Sequence, residues 1–347
     1  MIRVLIADDS YSARVLLRSI AGLDSSLSIV AEAHNGEEAV RLDDQHHPDI
    51  ILMDVNMPKF NGDEASRRIL SKRGVPIILF SSSWNKEQAA IALDAMKVGA
   101  VAALPKPPGP GAANFEKEAL KFIKTVKTMA GVTVVRHYRD AGSTPGISPL
   151  SAGMNKSHPV NFLAVGASTG GPAALERLFS NLPARIPAPV VVVQHISEGF
   201  LSGMLSWLGD KVPQPCRIPN DGEILRPGTI YFAPENRHME IQRKRVVLLD
   251  AQPVNGLRPD VAHLFSSLLS QDVRNMAIVM LTGMGSDGAP EMKRLHDEGA
   301  MTYAQSQEDC LVYGMPRAVS ELGGAQYIQT IEEIARSLTV SFQRASR

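Results

Sequence analysis

Ser168 stands at the centre of the sequence GASTG, which fits the pattern G-x-S-x-G. The apolar run VNFLAVG leads into it and the helical pattern PAALERLF follows, so we expect the serine on a sharp strand-to-helix turn that can expose a nucleophile. Gly166, Gly170 and Gly171 permit such a turn with little side-chain crowding. The same stretch is also typical of a glycine-rich loop that binds phosphate at a helix N-terminus. This motif alone leaves both interpretations open.

A nucleophilic serine needs a base within hydrogen-bond reach, and the base needs an orienting partner. His195 ends the strand pattern APVVVVQ, and Asp287 lies in LTGMGSDGAP, directly after the strand pattern NMAIVMLTG. Because the carboxyl ends of parallel strands meet at one edge of a sheet, we expect both side chains near Ser168. His195 differs from the other histidines because a continuous buried strand leads to it, and His238 and His263 are weaker candidates for the base.

The chain order Ser, His, Asp differs from the orders found in α/β-hydrolases, chymotrypsin and subtilisin. Catalytic triads are recognised by geometry and not by order, so the order argues only against an ordinary α/β-hydrolase. A dinucleotide site is disfavoured because Gln194 and His195 occupy the place where a ribose-binding carboxylate often stands.

A second set of polar residues follows the strand patterns of the first half of the chain. Asp8 and Asp9 end IRVLIA, Asp54 ends PDIILMD, Ser81 ends VPIILFS and Lys106 follows VAAL. Any one of these acidic residues alone could be a solvated helix cap or turn residue. Three carboxylates at one sheet edge repel each other unless a cation balances them, and hard oxygen ligands suit Mg²⁺. A lysine and a hydroxyl nearby can then hold a phosphoryl group.

The predicted elements divide the 347-residue chain into three parts, residues 1–130, 131–158 and 159–347. The first part alternates strands and helices, which predicts a parallel sheet covered on both faces. The middle part is rich in Gly, Ser and Pro and reads as a linker, the alternative being a long loop within one large domain. The last helix pattern of the first part, FEKEALKFIKTVKTMA, predicts one apolar face formed by Phe115, Ala119, Phe122, Ile123, Val126 and Ala130.

The third part predicts a doubly wound, mostly parallel α/β sheet with a short antiparallel segment. We expect main strands at VNFLAVG, APVVVVQ, NMAIVMLTG and AMTYA, and short antiparallel strands at TIYFAP, HMEIQ and RVVLLD.

Composition limits the classes of partner. Lys+Arg and Asp+Glu both count 36, so charge gives no argument for nucleic acid or for an anionic membrane. We expect neither a membrane span nor a signal peptide, because no apolar run is long enough for a bilayer and the first residues, MIRV, lead straight into a strand pattern. Cys216 and Cys310 lie far apart without metal-type spacing, which disfavours a disulfide and favours a reducing cytoplasm.

The first part resembles the receiver domain of two-component response regulators, a flavodoxin-like fold with a five-stranded parallel sheet. The motifs that carry the resemblance are IADDS, LMDVNMP, FSSS and LPKP. The resemblance implies that a histidine kinase phosphorylates Asp54, and that Ser81 and Lys106 contact the phosphoryl group. It also implies a Mg²⁺ site formed by Asp8, Asp9, Asp54 and the backbone carbonyl of Asn56.

The third part resembles the catalytic domain of the chemotaxis protein-glutamate methylesterases, through VGASTGGP, VVVQH, IYFAP, LTGMGSDGA and VYGMPRAV. The resemblance implies Ser168 as nucleophile, His195 as base and Asp287 as its orienting partner. Thr169 and the backbone amide of Met284 are implied to bind the oxyanion. The implied reaction hydrolyses glutamate γ-methyl esters of methyl-accepting chemoreceptors, releases methanol and needs no cofactor. Many family members also deamidate glutamine at such sites.

Together the two halves predict a cytoplasmic serine-type ester hydrolase controlled by phosphorylation. The receiver is expected to block the active site until Asp54 is phosphorylated. Two alternatives are a non-catalytic switch, in which phosphorylation exposes a binding surface, and a serine esterase or amidase acting on a protein other than a receptor. The intact Ser168, His195 and Asp287 argue against the switch, because a binding module need not keep all three.

Overall fold

The structure, a computed structural model, describes residues 1–82, 84–132 and 159–345. The chain divides into two units, Met1–Tyr138 and Arg139–Arg347. The predicted boundaries at residues 130 and 159 stay a prediction, and apart from residues 131 and 132 the predicted linker lies outside the described residues. No helix in the described ranges is long and apolar enough to cross a bilayer.

The N-terminal unit is a five-stranded sheet with order β2-β1-β3-β4-β5, and every pairing is parallel. Its strands are β1 (Ile2–Ala7), β2 (Leu27–Ala33), β3 (Ile50–Asp54), β4 (Ile77–Ser81) and β5 (Ala102–Pro105). Its helices are α1 (Tyr11–Ala21), α2 (Gly36–His46), α3 (Gly62–Lys72), α4 (Lys86–Lys97) and α5 (Phe115–Ala130). Strands β3 and β4 are buried along their whole length, as central parallel strands must be. The predicted five-stranded parallel sheet is confirmed.

Helix α5 buries a slightly different face from the predicted one. Ala119, Phe122, Ile123 and Val126 are buried as predicted, together with Met129. The two ends of the predicted stripe, at positions 115 and 130, are only half-buried. The 3.6-residue period of a helix places positions 122, 126 and 129 on one face. The buried stripe therefore ends at Met129, one residue before the predicted end at Ala130.

The C-terminal unit is a seven-stranded sheet with order β14-β13-β12-β6-β7-β9-β8 and a separate pair, β10-β11. Its strands are β6 (Phe162–Ala167), β7 (Val190–Gln194), β8 (Cys216–Arg217), β9 (Ile230–Phe232), β10 (His238–Gln242), β11 (Arg245–Leu249), β12 (Met276–Met280), β13 (Met301–Gln305) and β14 (Tyr327–Gln329). Its helices are α6 (Gly171–Ser180), α7 (Leu201–Gly209), α8 (Val261–Leu268), α9 (Ala289–Asp297), α10 (Met315–Glu321) and α11 (Ile331–Ala345). Two short 3₁₀ helices cover Val273–Asn275 and Gln307–Asp309.

The prediction of an antiparallel strand at TIYFAP is wrong, because β9 pairs in parallel with both β7 and β8 inside the main sheet. All three β9 residues are buried, which fits an interior strand of a parallel sheet. The strand is too short for its sequence pattern to reveal this. The antiparallel pair β10-β11 is confirmed, and its turn residues Arg243 and Lys244 both have positive φ, as a tight two-residue hairpin turn requires.

Candidate functional site

Three neighbouring strands of the C-terminal sheet carry the predicted catalytic residues to one edge. Strand β6 lies between β12 and β7; Ser168 directly follows β6, His195 directly follows β7, and Asp287 lies in the loop after β12. The backbone N–H of His195 donates to the Ala167 carbonyl at 3.0 Å, and that of Ser168 donates to the Thr282 carbonyl at 3.0 Å. These bonds extend the strand pairing beyond the strands and fix the three loops against each other.

His195 and Asp287 form a direct hydrogen bond, with His195 Nε2 at 2.8 Å from Asp287 Oδ2. The same carboxylate accepts the backbone N–H groups of Val261 at 2.6 Å and Ala262 at 3.2 Å, which begin α8. Burial acts to raise the pKa of Asp287, but the hydrogen bond and charge of His195 and the two backbone donors outweigh it and hold the pKa below its usual range. Because an ionised carboxylate only accepts, Nε2 carries the ring proton and Nδ1 holds the lone pair.

Ser168 is fixed through its backbone. Within the described ranges its hydroxyl forms no hydrogen bond to the His195 ring, so the structure joins two of the three predicted residues directly and places the third on the neighbouring strand end. Gly283 allows the β12 loop to approach the serine, because a Cβ at position 283 would lie 2.7 Å from Ser168 Cβ and 2.5 Å from Met315 Sδ.

Gln194, which no sequence motif assigned to the hydrolase site, links the serine and histidine loops. Its Nε2 donates to the Ser168 carbonyl at 2.8 Å and to the His195 carbonyl at 2.7 Å. A Cβ on Gly171 would lie 1.9 Å from Gln194 Oε1, so this glycine makes room for the amide. The available sequence signal was a polar residue at the end of a valine run, directly before the candidate base.

The two predicted oxyanion groups lie in loops beside Ser168. The Thr169 carbonyl accepts the Thr282 hydroxyl at 3.0 Å, which ties the serine turn to the end of β12. Met284 follows Gly283 and is half-buried, and its backbone N–H has no acceptor among the described residues. The Met284 amide is therefore available to a negatively charged oxygen.

His238 and His263, the weaker candidates for the base, pair with Asp260 instead. The Asp260 Oδ1 atom lies 2.8 Å from His263 Nδ1 and 3.4 Å from His238 Nδ1. Neither ring takes the place of His195 beside Asp287.

In the N-terminal unit the predicted acidic residues do converge. The carboxylates of Asp8, Asp9 and Asp54 offer oxygens that all lie within 4.8 Å of one another, and Lys106 Nζ lies 2.8 Å from both Asp8 and Asp54. Burial raises the pKa of Asp54, although the hydrogen bond from Lys106 acts in the opposite direction. Burial acts to lower the pKa of Lys106, but its hydrogen bonds to the two carboxylates outweigh it and raise the pKa. The oxygens of these three carboxylates form a set of ligands that fits a hard divalent cation.

Ser81 ends β4, and Asn56 lies two residues after β3, the strand that ends in Asp54. Ser81 is buried at the end of β4, and its carbonyl accepts the backbone N–H of Lys106 at 2.8 Å. The backbone N–H of Asn56 donates to Asp54 Oδ2 at 3.0 Å. The ligand role of the Asn56 carbonyl stays a prediction.

Arg14, which lies outside every motif of the sequence, supports the acidic pair. This side chain is buried in α1, and its Nη1 donates to the carbonyls of Asp8 at 2.7 Å and Asp9 at 3.2 Å. It therefore fixes the backbone on which both carboxylates stand. A basic residue inside an otherwise apolar helix face was the available signal.

The folds and the two sites define a class of protein, namely a response regulator whose receiver precedes an α/β hydrolase domain. Residues 4–112 match the family described as the response regulator receiver domain, and residues 163–338 match the family described as CheB methylesterase.

Relatives extend this match over nearly the whole chain. A protein-glutamate methylesterase/protein-glutamine glutaminase of Nitrosospira multiformis is 38% identical over 342 residues, covering 98% of this chain and 96% of that protein. A protein of the same name, numbered 4, in Geobacter metallireducens is 38% identical over 341 residues, with 98% of each chain covered. The crystal structure of the Thermotoga maritima CheB methylesterase catalytic domain matches with a TM-score of 0.50 and 32% identity, covering 52% of this chain and 98% of that one. The chain belongs to the protein-glutamate methylesterase/protein-glutamine glutaminase family, and both the resemblance and the fold class inferred from its sequence are confirmed.

Proposed function

We propose that this chain is a phosphorylation-activated protein-glutamate methylesterase. It removes γ-methyl esters from glutamates of methyl-accepting chemoreceptors, releases methanol, and also deamidates glutamine at such sites. The observation that carries the proposal is the 2.8 Å hydrogen bond from His195 Nε2 to Asp287 Oδ2, at the sheet edge where Ser168 follows the adjacent strand. The relatives named for both activities support the choice of substrate.

The hydrogen bond to Asp287 decides which nitrogen of His195 acts as the base. Since Nε2 is committed to the carboxylate, Nδ1 takes the hydroxyl proton of Ser168 as its oxygen attacks the ester carbonyl. The imidazolium that forms is stabilised by Asp287, which stays ionised because its pKa is held low. The Ser168 hydroxyl turns towards Nδ1 in the substrate complex, since catalytic hydrogen bonds often tighten only there.

The negative charge that develops on the carbonyl oxygen is stabilised by the backbone N–H of Met284 and by Thr169. Collapse of the tetrahedral intermediate breaks the C–O bond, and His195 returns the proton to the leaving methoxide, so that methanol departs. Water then attacks the acyl-serine with His195 again as base, which frees the glutamate carboxylate and restores Ser168. A glutamine side chain follows the same steps with ammonia as the leaving group.

In the receiver, a histidine kinase supplies the phosphoryl group. A carboxylate oxygen of Asp54 attacks phosphorus, the bond from phosphorus to the kinase histidine breaks, and an acyl phosphate forms. Asp8, Asp9, Asp54 and the Asn56 carbonyl would hold a Mg²⁺ ion, which would balance the charge of the carboxylates and of the phosphoryl group. Lys106, already 2.8 Å from Asp54, pairs with a phosphoryl oxygen, and Ser81 contacts another.

Phosphorylation relieves an inhibition that the receiver exerts on the esterase. The new charge on Asp54 draws Lys106 and Ser81 towards it and repacks the receiver surface around β4, which is a local electrostatic event with a remote effect. The enzyme acts in the cytoplasm, where its kinase and the signalling helices of its receptors are found.

The nucleophile is tested by Ser168→Ala in the full-length chain, with Ser202→Ala as the control because Ser202 lies exposed on α7. We expect Ser168→Ala to abolish methanol release from methylated receptor while phosphodonor still labels Asp54, and Ser202→Ala to behave as wild type. Wild-type methanol release from Ser168→Ala would refute the assignment.

The control by phosphorylation is tested with a small-molecule phosphodonor and Mg²⁺. Methanol release from the wild type should rise, and Asp54→Asn should show no rise. An equal rise in both proteins would place the activation outside Asp54.

A further inference from the structure

Helix α8 begins beside a buried cluster formed by His238, Asp260 and His263. Both His238 and Asp260 are fully buried, and the side chain of His263 is 24% exposed. A buried carboxylate needs hydrogen bonds or counter-charge to be tolerated, and here the ring and the backbone N–H of His263 supply hydrogen bonds. The proposed reaction uses none of these three residues.

The contacts within the cluster hold Asp260 in one orientation. Asp260 Oδ1 accepts the backbone N–H of His263 at 2.9 Å and its Nδ1–H at 2.8 Å. His238 Nε2 donates to the Gln252 carbonyl at 3.1 Å, which turns His238 Nδ1 towards the carboxylate at 3.4 Å.

The cluster does not fit a metal ion in this geometry, although its ligand atoms lie within 4.8 Å of one another. The rings of His238 and His263 stack with centroids 3.9 Å apart and planes 17° apart. An imidazole binds a metal along a lone pair in its own plane, and two nearly parallel planes at this separation share no point near both nitrogens. We therefore assign the cluster a positioning role.

The first turn of α8 connects this cluster to the active site. A helix leaves its first N–H groups without partners inside the helix. In α8 the N–H groups of Val261 and Ala262 are taken by Asp287, and that of His263 is taken by Asp260. Asp287 and Asp260 thus accept the first three backbone N–H groups of α8. Asp260 fixes the same helical turn whose other two N–H groups donate to Asp287.

We propose that Asp260 is a positioning residue for the reaction: by capping α8, it aims the Val261 and Ala262 N–H groups at Asp287 and so holds His195 in the orientation needed by the base. The proposal rests on the proposed catalytic roles of His195 and Asp287. Without the cap the first turn of α8 frays, the carboxylate of Asp287 loses its two fixed donors, and the imidazole loses its orientation.

The test compares variants at position 260 in the full-length chain, with phosphodonor and Mg²⁺ present. Asp260→Ser keeps an N-cap acceptor without the charge, whereas Asp260→Ala and Asp260→Gly have none. Glycine at an N-cap is far less destabilising than alanine, so Asp260→Gly reports on the lost acceptor even if Asp260→Ala does not fold. Thr330→Ala is the matched control, because the Thr330 hydroxyl caps α11 in the same unit, by accepting the Glu333 N–H at 3.4 Å.

We expect kcat for methanol release to fall about 10-fold in Asp260→Gly and Asp260→Ala, the lower end of the effect measured for residues that orient metal ligands from the outer shell. KM should stay within about twofold, because no substrate contact is lost. Asp260→Ser should recover kcat to within about threefold of wild type, since serine caps as well as aspartate. Thr330→Ala should lower the melting temperature and leave kcat unchanged.

Equal loss of kcat in the serine, alanine and glycine variants would overturn the capping role, and wild-type kcat in Asp260→Gly would overturn the positioning role altogether. Ser168→Ala, measured alongside, separates these outcomes from failure of the proposed function. If Ser168→Ala releases methanol at the wild-type rate, the triad itself is wrong. If it is inactive, a null result at position 260 concerns Asp260 alone.

Discussion

Replacing Asp287 by asparagine probes the proposed geometry because the site holds this carboxylate from three directions. Oδ2 accepts from His195 Nε2 at 2.8 Å and from the Val261 N–H at 2.6 Å, and Oδ1 accepts from the Ala262 N–H at 3.2 Å. The amide oxygen of asparagine can replace Oδ2 and keep both short bonds. The opposite orientation would point an NH₂ group at the fixed N–H of Val261 and would require His195 to move its proton to Nδ1, the tautomer that inactivates a serine protease triad. We therefore expect Asp287→Asn to keep the proton of His195 on Nε2 and the lone pair on Nδ1.

The loss of imidazolium stabilisation then comes mainly from the missing charge, because the one donor that the NH₂ group faces is the more distant Ala262 N–H at 3.2 Å. A hydrogen bond to a charged group contributes about 1.5–3 kcal/mol and a neutral one about 0.5–1.5 kcal/mol, a difference of about 1–1.5 kcal/mol. With about 1.4 kcal/mol per factor of ten in rate, kcat of Asp287→Asn should fall about 5- to 12-fold. Asp287→Ala removes the acceptor as well and should fall on the order of 10⁴-fold, the scale found for a triad aspartate in another serine hydrolase.

The assay is the initial rate of methanol release at saturating methylated receptor, with full-length protein, phosphodonor and Mg²⁺. Asparagine before Gly288 is prone to deamidation, which would restore the wild-type residue, so mass spectrometry must show that the amide is intact. Thermal unfolding of both variants shows whether each is folded at the assay temperature.

Two outcomes contradict the reasoning. If Asp287→Asn is as slow as Asp287→Ala, the amide oxygen does not take the place of Oδ2 as acceptor for His195 Nε2. If it is as fast as wild type, the charge of Asp287 does not stabilise the imidazolium of His195.

Burial raises the pKa of Asp54, so the ionised carboxylate destabilises the folded receiver. This destabilisation is complete at pH values above the raised pKa and disappears as the pH falls towards about 4, the ordinary pKa of an aspartate. Asp54→Asn should therefore raise the melting temperature of the receiver near pH 7, and calorimetry should show the gain shrinking as the pH falls; a gain independent of pH would exclude burial as the cause. Mg²⁺ should raise the melting temperature of the wild-type receiver and EDTA should reverse it, whereas Asp9→Asn should respond more weakly; an equal response would remove Asp9 from the site. Gly283→Ala places a Cβ 2.7 Å from Ser168 Cβ and should destabilise the fold by about 1–3 kcal/mol and lower kcat. Its control, Gly209→Ala, meets no atom within 4 Å and should leave kcat unchanged, and equal kinetics of the two variants would show that the approach of residue 283 to Ser168 is not needed.

Much of the fold and of both sites could be predicted because parallel α/β sheets obey a simple rule. Each strand is a short local pattern, and the residues that follow the strands meet at one edge. Ser168, His195 and Asp287 follow three such patterns, as do the carboxylates of the receiver. Strand β9 was mistaken because three residues carry too little pattern to show their partners.

The sequence by itself determined the two α/β units, the strand ends that carry the polar residues, and the family to which the chain belongs. Only the tertiary structure decided which nitrogen of His195 faces Asp287, that Gln194 joins the serine and histidine loops, and that α8 supplies two donors to Asp287. The contact between His195 and Asp287 spans 92 positions, and that between Val261 and Asp287 spans 26. Local propensity sets where a strand or helix lies in the chain. The order in which strands pair and the angle at which a helix packs depend on burying the whole core at once. Strand order and helix packing in turn set the donor–acceptor distances of the hydrogen bonds in the site.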